Sequence, residues 1–187
     1  MTVLPICITG EPVLHREAAP VVDFDAGLAT LVEDMFETME AAPGVGLAAP
    51  QVGIGSRLFV YDWTDEEGVR TRGVAANPEL WISSPPLGVA DDDEEEGCLS
   101  IPGERFALKR SERALLRAQD ERGEHYELEA SGWLARILQH EFDHLNGILY
   151  ADRLDAFGTK GVQKAIKRNK WGGAGNAWLP GVDDLEG

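Results

Sequence analysis

Residues 140–144 of this chain read His140-Glu-Phe-Asp-His144, an H-E-x-x-H string. Side chains four apart share one helix face, so both imidazoles can reach a single cation. Glu141 projects about 100° around the helix from His140, beside such a cation rather than bound to it, where a base for water belongs. The flanking Leu134, Ile137, Leu138, Phe142 and Leu145 make this helix apolar over much of its circumference. Two histidines and a glutamate buried there need a polar reason, and a metal supplies one. A catalytic metal also needs a third protein ligand and an open position. The two remaining histidines, His15 and His125, precede the string, and the carboxylates just after it, Asp152 and Asp155, fall in a short turn with no helical frame. Upstream, Glu96-Gly97-Cys98-Leu99-Ser100 offers a thiolate on a loop that Gly97 lets turn closely. A lone cysteine is more often an inert buried residue. Beside two metal-binding histidines, Cys98 becomes the expected third ligand. A further segment, Gly44-Val-Gly-Leu-Ala-Ala-Pro-Gln51, promises a tight turn and close backbone approach. No Lys-Ser/Thr follows it, which excludes a phosphate loop. Gln51 carries an amide that can either donate to an oxyanion or serve the local structure.

The elements that must hold these residues follow from periodicity. Leu28, Leu31, Val32, Met35, Phe36 and Met39 recur at three and four residues, one apolar helix face, with Asp25 as N-cap and Ala42-Pro43-Gly44 as the stop. Arg57–Tyr61 and Arg72–Ala76 read as strands about a turn at Asp65–Gly68. Ala114–Gln119 and His125–Glu129 flank Asp120-Glu-Arg-Gly123 as a hairpin. The H-E-x-x-H string belongs to a second helix, from about Gly132 to Asn146, which Gly147 ends. A third helix runs from about Phe157 to Trp171, and Trp178-Leu-Pro-Gly181 is expected to fold back on the body. Asp91–Glu95 reads as a solvated acidic loop. Glu96 stands apart because it abuts Gly97-Cys98.

The 187 residues suit one domain, 1–187, and 43% hydrophobic with 27% charged residues exclude wholesale disorder. A net charge of -16 repels phosphate backbones and argues against free DNA binding. No apolar run approaches the roughly 20 residues that span a bilayer, so no membrane association is expected. Met1–Gly10 makes a poor signal peptide, and two distant cysteines, Cys7 and Cys98, suit a reducing cytoplasm. Against the acidic background stand Lys160, Lys164, Lys167 and Arg168, spaced to line one helical face.

Taken together, Gly44–Gln51, Glu96–Ser100 and Gln139–His144 resemble, in order and spacing, the motifs of the peptide deformylases. Gly10-Glu-Pro-Val-Leu14 and Ile101-Pro102 extend the likeness, and the tail is similar to those of actinobacterial members. The resemblance implies an α+β fold, with small antiparallel sheets around a central metal-bearing helix. It implies hydrolysis of the formyl group from the N-formylmethionine of nascent polypeptides. Fe²⁺ would be the metal, with Zn²⁺, Ni²⁺ or Co²⁺ as substitutes, on Cys98, His140 and His144. Glu141 would be the general base. Gln51 and the Leu99 backbone N–H would stabilise the developing oxyanion. The peptide would pair with backbone at Val45 and Gly46, its methionine lying beside Gly46 and Leu99, and Arg105 would meet the substrate backbone. Glu96 would pair with Arg110 to steady the cysteine loop. Arg136, one turn before His140, departs from the apolar residue many members carry. It either turns away from the methionine slot or alters it. The basic face near the C-terminus would dock on ribosomal RNA. An H-E-x-x-H endopeptidase is the competing enzyme reading and lacks a downstream third ligand. A non-catalytic module would have been signalled by loss of Glu141 or Gln51.

Overall fold

The computed structural model describes residues 2–183, 185 and 186. Its strands are β1 (Ile6–Cys7), β2 (Gly46–Ala48), β3 (Leu58–Thr64), β4 (Arg70–Ile82), β5 (Glu95–Gly97), β6 (Arg105–Ala107), β7 (Arg113–Gln119), β8 (His125–Ser131) and β9 (Ala177–Trp178). Its α-helices are α1 (Ala26–Ala41), α2 (Gly132–Leu145) and α3 (Ala156–Asn169). The fold is α+β. A five-stranded antiparallel sheet runs β2-β3-β4-β7-β8, and β1-β9 and β5-β6 form small antiparallel pairs.

Alternation along the strands explains the layering. Leu58, Val60, Val74 and Ala76 face α1, whose Leu28, Val32, Met35 and Met39 complete one core. Phe59, Tyr61 and Ala75 point the other way and meet Ala135, Ile137, Leu138 and Leu145 of α2. The metal-motif helix thus lies against one face of the sheet. A third cluster, with Leu14, Cys98, Ile101, Leu108, Tyr150 and Val162, backs the cysteine loop.

Helix ends follow local chemistry. Asp25 caps α1 by accepting from the Gly27 and Leu28 N–H groups at 2.9 and 3.0 Å. At the end of α2 the chain crosses the segment at Arg16. Gly147 (φ 71°) has no room for a side chain there, because a Cβ would lie 2.6 Å from Arg16 N.

Three expectations change in detail. β4 continues through Asn77-Pro78 to Ile82, carried past the proline by a bulge between Ala76 and Glu79. The acidic block is not wholly a solvated loop. Glu94 binds Lys109 at 2.7 Å, and Glu95–Gly97 form β5 against β6. The third helix stops at Asn169, because Lys170 takes a left-handed conformation (φ 58°).

Candidate metal centre

Helix α2 is fixed by its polar residues as much as by its apolar ones. The Gln139 amide accepts from Ser111 N at 3.0 Å and donates to Ser111 O at 2.8 Å, tying the helix to the turn before β7. Asp143 receives Arg110 Nη1 at 2.6 Å and two bonds from Arg153. These anchors set the rotation of α2 and turn His140 and His144 toward the cysteine loop.

There the three candidate ligands converge. One ligand atom each from Cys98, His140 and His144 lies within 4.8 Å of the others, and all three residues are buried. Cys98 Sγ is 3.3 Å from His144 Nε2, which is 3.2 Å from His140 Nε2. A tetrahedral site with metal–sulfur bonds of about 2.3 Å and metal–nitrogen bonds of about 2.1 Å has S···N and N···N edges of about 3.6 and 3.4 Å. These two edges match within a few tenths of an ångström. His140 Nδ1 meets Glu96 Oε1 at 2.6 Å, so in the neutral ring the proton sits on Nδ1 and Nε2, facing the second imidazole, is the nitrogen that can take a cation. Two imidazole nitrogens and a sulfur held this closely fit a borderline-soft divalent cation. In the metal-free chain, burial opposes charge on either ring. The thiol and Glu96 nonetheless draw His140 well above its ordinary pKa, and burial with its charged neighbour holds His144 well below.

Glu96 is the hub behind the ligands. Its buried carboxylate takes His140 and Arg110 Nη2 on Oε1, and Arg110 Nε (3.0 Å) with Arg136 Nη1 (3.1 Å) on Oε2. Burial alone would raise its pKa, but the bonds from His140 and Arg110 hold it well below the usual carboxylate range. The expected Glu96–Arg110 pair is therefore present and buried. The Arg136 guanidinium bonds Glu96 and the Leu108 carbonyl (2.7 Å) and lies over the Trp133 ring, and the residue still lines the cavity that Glu141 lines.

Glu141 takes no part in this network. Its Oε2 is buried without a hydrogen-bond partner, and burial pushes its pKa up to about 7. The carboxylate lies directly against Gly46 of β2, where a Cβ would come within 2.8 Å of Glu141 Cγ and Cδ. Opposite, the Gln51 Oε1 accepts from Ala48 N at 2.8 Å, which fixes the amide and points its Nε2 at Cys98 Sγ, 3.9 Å away. No hydrogen bond among the described residues uses the Leu99 backbone N–H. Gly46, Gln51, Cys98, Leu99, His140 and Glu141 line one cavity of about 310 Å³. Val45 and Arg105 line it too, so every residue expected to touch substrate opens onto the same space. His144 is more deeply buried, 1% exposed against 8% for His140. Asp152 and Asp155 are engaged elsewhere, the first accepting from Leu149 N and the second capping α3. Glu186, Trp63 and Trp133 also line the cavity. Nothing in their sequence spacing signals it.

The basic residues near the C-terminus lie apart from this cavity. Lys160, Lys164, Lys167 and Arg168 are exposed on α3, and Arg168 is ion-paired with Glu104.

A buried cysteine and two imidazoles beside a buried carboxylate, on an α+β scaffold, are the donor set that metal-dependent hydrolases can use. Residues 3–160 match the model of the polypeptide deformylase family, and the chain belongs to that family. A peptide deformylase of Tropheryma whipplei is 48% identical over 95% of this chain and 94% of its own length. One from Mycolicibacterium smegmatis is 48% identical over 97% and 96%. Among solved structures, the peptide deformylase of Thermus thermophilus matches with a TM-score of 0.76 at 42% identity, over 89% of this chain and 94% of that one. A peptide deformylase of Synechococcus elongatus in complex with actinonin matches with a TM-score of 0.78 at 36% identity, over 90% and 88%. The family is one of metal-dependent enzymes that remove the N-formyl group from nascent peptides. Among the described residues, no helix is long and apolar enough to cross a membrane.

Proposed function

We propose that the chain, as one cytoplasmic domain, deformylates N-formylmethionyl nascent peptides at a cation held by Cys98, His140 and His144. Fe²⁺ is the proposed metal, with Zn²⁺, Ni²⁺ or Co²⁺ as substitutes. The convergence of these three buried ligand atoms within 4.8 Å, on a cavity that Glu141 also lines, carries the reading. When bound, the cation supplies Lewis acidity toward water and the formyl oxygen.

The protein's own groups do the rest. Glu141, unpartnered on Oε2, takes the proton of the attacking water and later returns it to the leaving amine. Burial, the largest influence on it, pushes its pKa up to about 7, which suits a group that takes up and gives back a proton. Gln51 Nε2 and the Leu99 N–H donate to the oxygen on which charge develops, an effect of about 10²–10³ in rate per donor. Strand β2 is an edge of the five-stranded sheet, and the Val45 carbonyl already accepts from Asp62 N at 3.0 Å, so an extended peptide would pair with the remaining backbone groups of Val45 and Gly46. Arg105 faces the same cavity and serves the peptide backbone farther along. Formyl is the smallest acyl group, and a tight space between Gly46, Leu99 and Glu141 excludes larger ones.

Because the substrate emerges from a ribosome, the exposed face of Lys160, Lys164, Lys167 and Arg168 is proposed to dock on ribosomal RNA. The test of the activity uses anaerobically purified protein on formyl-Met-Ala-Ser, acetyl-Met-Ala-Ser and a longer peptide with a free N-terminus. Release of formate from the first alone is expected. Cleavage of an internal bond would instead support the endopeptidase reading.

A further inference from the structure

The loop that carries Cys98 is held from outside by the C-terminal segment. Trp178, on β9, is 3% exposed, and its indole Nε1 donates to the Leu99 carbonyl at 2.9 Å. Strand β9 is itself fixed, since Ile6 of β1 pairs with Trp178. The neighbouring carbonyls are also taken, Cys98 O by Ile101 N and Ser100 O by Thr9 N, each at 2.8 Å.

The Leu99 carbonyl and the Ser100 N–H belong to one peptide group. A trans peptide is planar, and its C=O and N–H point in opposite directions. Holding the oxygen therefore aims the nitrogen. The Ser100 N–H points at Cys98 Sγ, with N···S at 3.4 Å. One rigid plane thus links a buried indole to the sulfur, across 79 positions of sequence.

We infer that Trp178 is a positioning residue, which through the Leu99–Ser100 peptide holds an N–H donor on the Cys98 sulfur and so tunes it as a metal ligand. The inference rests on the proposed role of Cys98. A donor on a thiolate withdraws electron density from it, and partners of this kind orient and tune the ligands they touch. Without the indole N–H the Leu99 oxygen loses its anchor, and the N–H on the sulfur is held less firmly. The sulfur then becomes a stronger electron donor and a less well-fixed ligand. The Leu99 N–H, on the preceding peptide, shares the same loop and moves with it.

The test uses the full chain loaded with Co²⁺, in which a coordinated thiolate gives a near-ultraviolet charge-transfer band. Trp178→Phe removes the N–H and keeps an aromatic ring. A site-specific benzothienylalanine at 178 keeps the indole's shape and loses only the donor, and it decides the matter if the phenylalanine variant fails to fold. We expect the band to move to longer wavelength. We also expect kcat on a formyl-Met peptide to fall about tenfold, the low end for lost ligand partners, with KM within about twofold. A merely structural contact would lower the melting temperature and leave the band where it is. An unshifted band in both folded variants overturns the inference. If wild-type protein shows no thiolate band at all, it is the assignment of Cys98 as a ligand that fails.

Discussion

Gly46→Ala tests the placement of Glu141 without touching a ligand or a charge. Gly46 does not have a positive φ, so the backbone accepts alanine. The added Cβ would sit 2.8 Å from Glu141 Cγ and Cδ, and nearer still to Oε1. Carbon atoms rest at about 3.5–4.0 Å, so the carboxylate must retreat by about 1 Å. A misplacement of that size costs about 10² in rate, or about 2.7 kcal/mol of transition-state stabilisation. Stability should fall as well. Alanine restricts the unfolded chain and contributes about 0.4–1 kcal/mol. Overpacking a filled site costs about 1–3 kcal/mol, leaving a net loss of about 1–2 kcal/mol. The assay is steady-state deformylation of formyl-Met-Ala-Ser with metal content measured alongside, plus urea melts. We expect kcat down about 10²-fold, full metal retention and a lower urea midpoint. Combining Gly46→Ala with Glu141→Ala should recover most of the lost stability, because contacting residues are not additive. A kcat within threefold of wild type, or a double variant whose losses simply add, would refute the contact.

Cys98→Ala removes one of three ligands and should leave a chain that folds but loses its metal on dialysis. The Fe²⁺ enzyme should also lose activity in air faster than the Ni²⁺ form, and equal aerobic half-lives would count against iron-linked lability. Arg110→Met leaves Glu96 and Asp143 short of a buried partner, and urea melts should show a loss of about 3–5 kcal/mol. A loss below about 1 kcal/mol would mean that Arg136 and Arg153 compensate alone. Changing Lys160, Lys164, Lys167 and Arg168 to Gln should weaken co-sedimentation with ribosomes and flatten its salt dependence, while turnover of a short peptide stays intact. Arg168 is engaged with Glu104, so the lysines should carry most of that effect.

Local rules made the candidate ligands legible. Spacing of four put His140 and His144 on one helical face, and scarcity of other donors left Cys98 as the third. The Asp25 cap and the β7–β8 hairpin follow from residues a few positions apart. Other features depend on what the fold brings from a distance. The acidic block gave no sign that Glu94 meets Lys109, because a run of like charge reads as solvated until a partner strand arrives. Arg136 left two readings open, and its bond to Glu96, a residue 40 positions earlier, could not be read from its own neighbours. The need for glycine at 46 comes from Glu141, which lies 95 residues later in the chain. Trp178 reads as an ordinary core aromatic until its indole is seen on the Leu99 carbonyl.

The central claim is that Cys98, His140 and His144 bind the cation while Glu141 moves the proton. Glu141→Gln separates the two roles in one anaerobic preparation, with metal stoichiometry and formate release measured on the same sample. The account predicts metal near one per chain, as in wild type, with kcat lower by at least about 10²-fold. Near-normal turnover with metal bound would contradict the role of Glu141, and loss of the metal would contradict the ligand set.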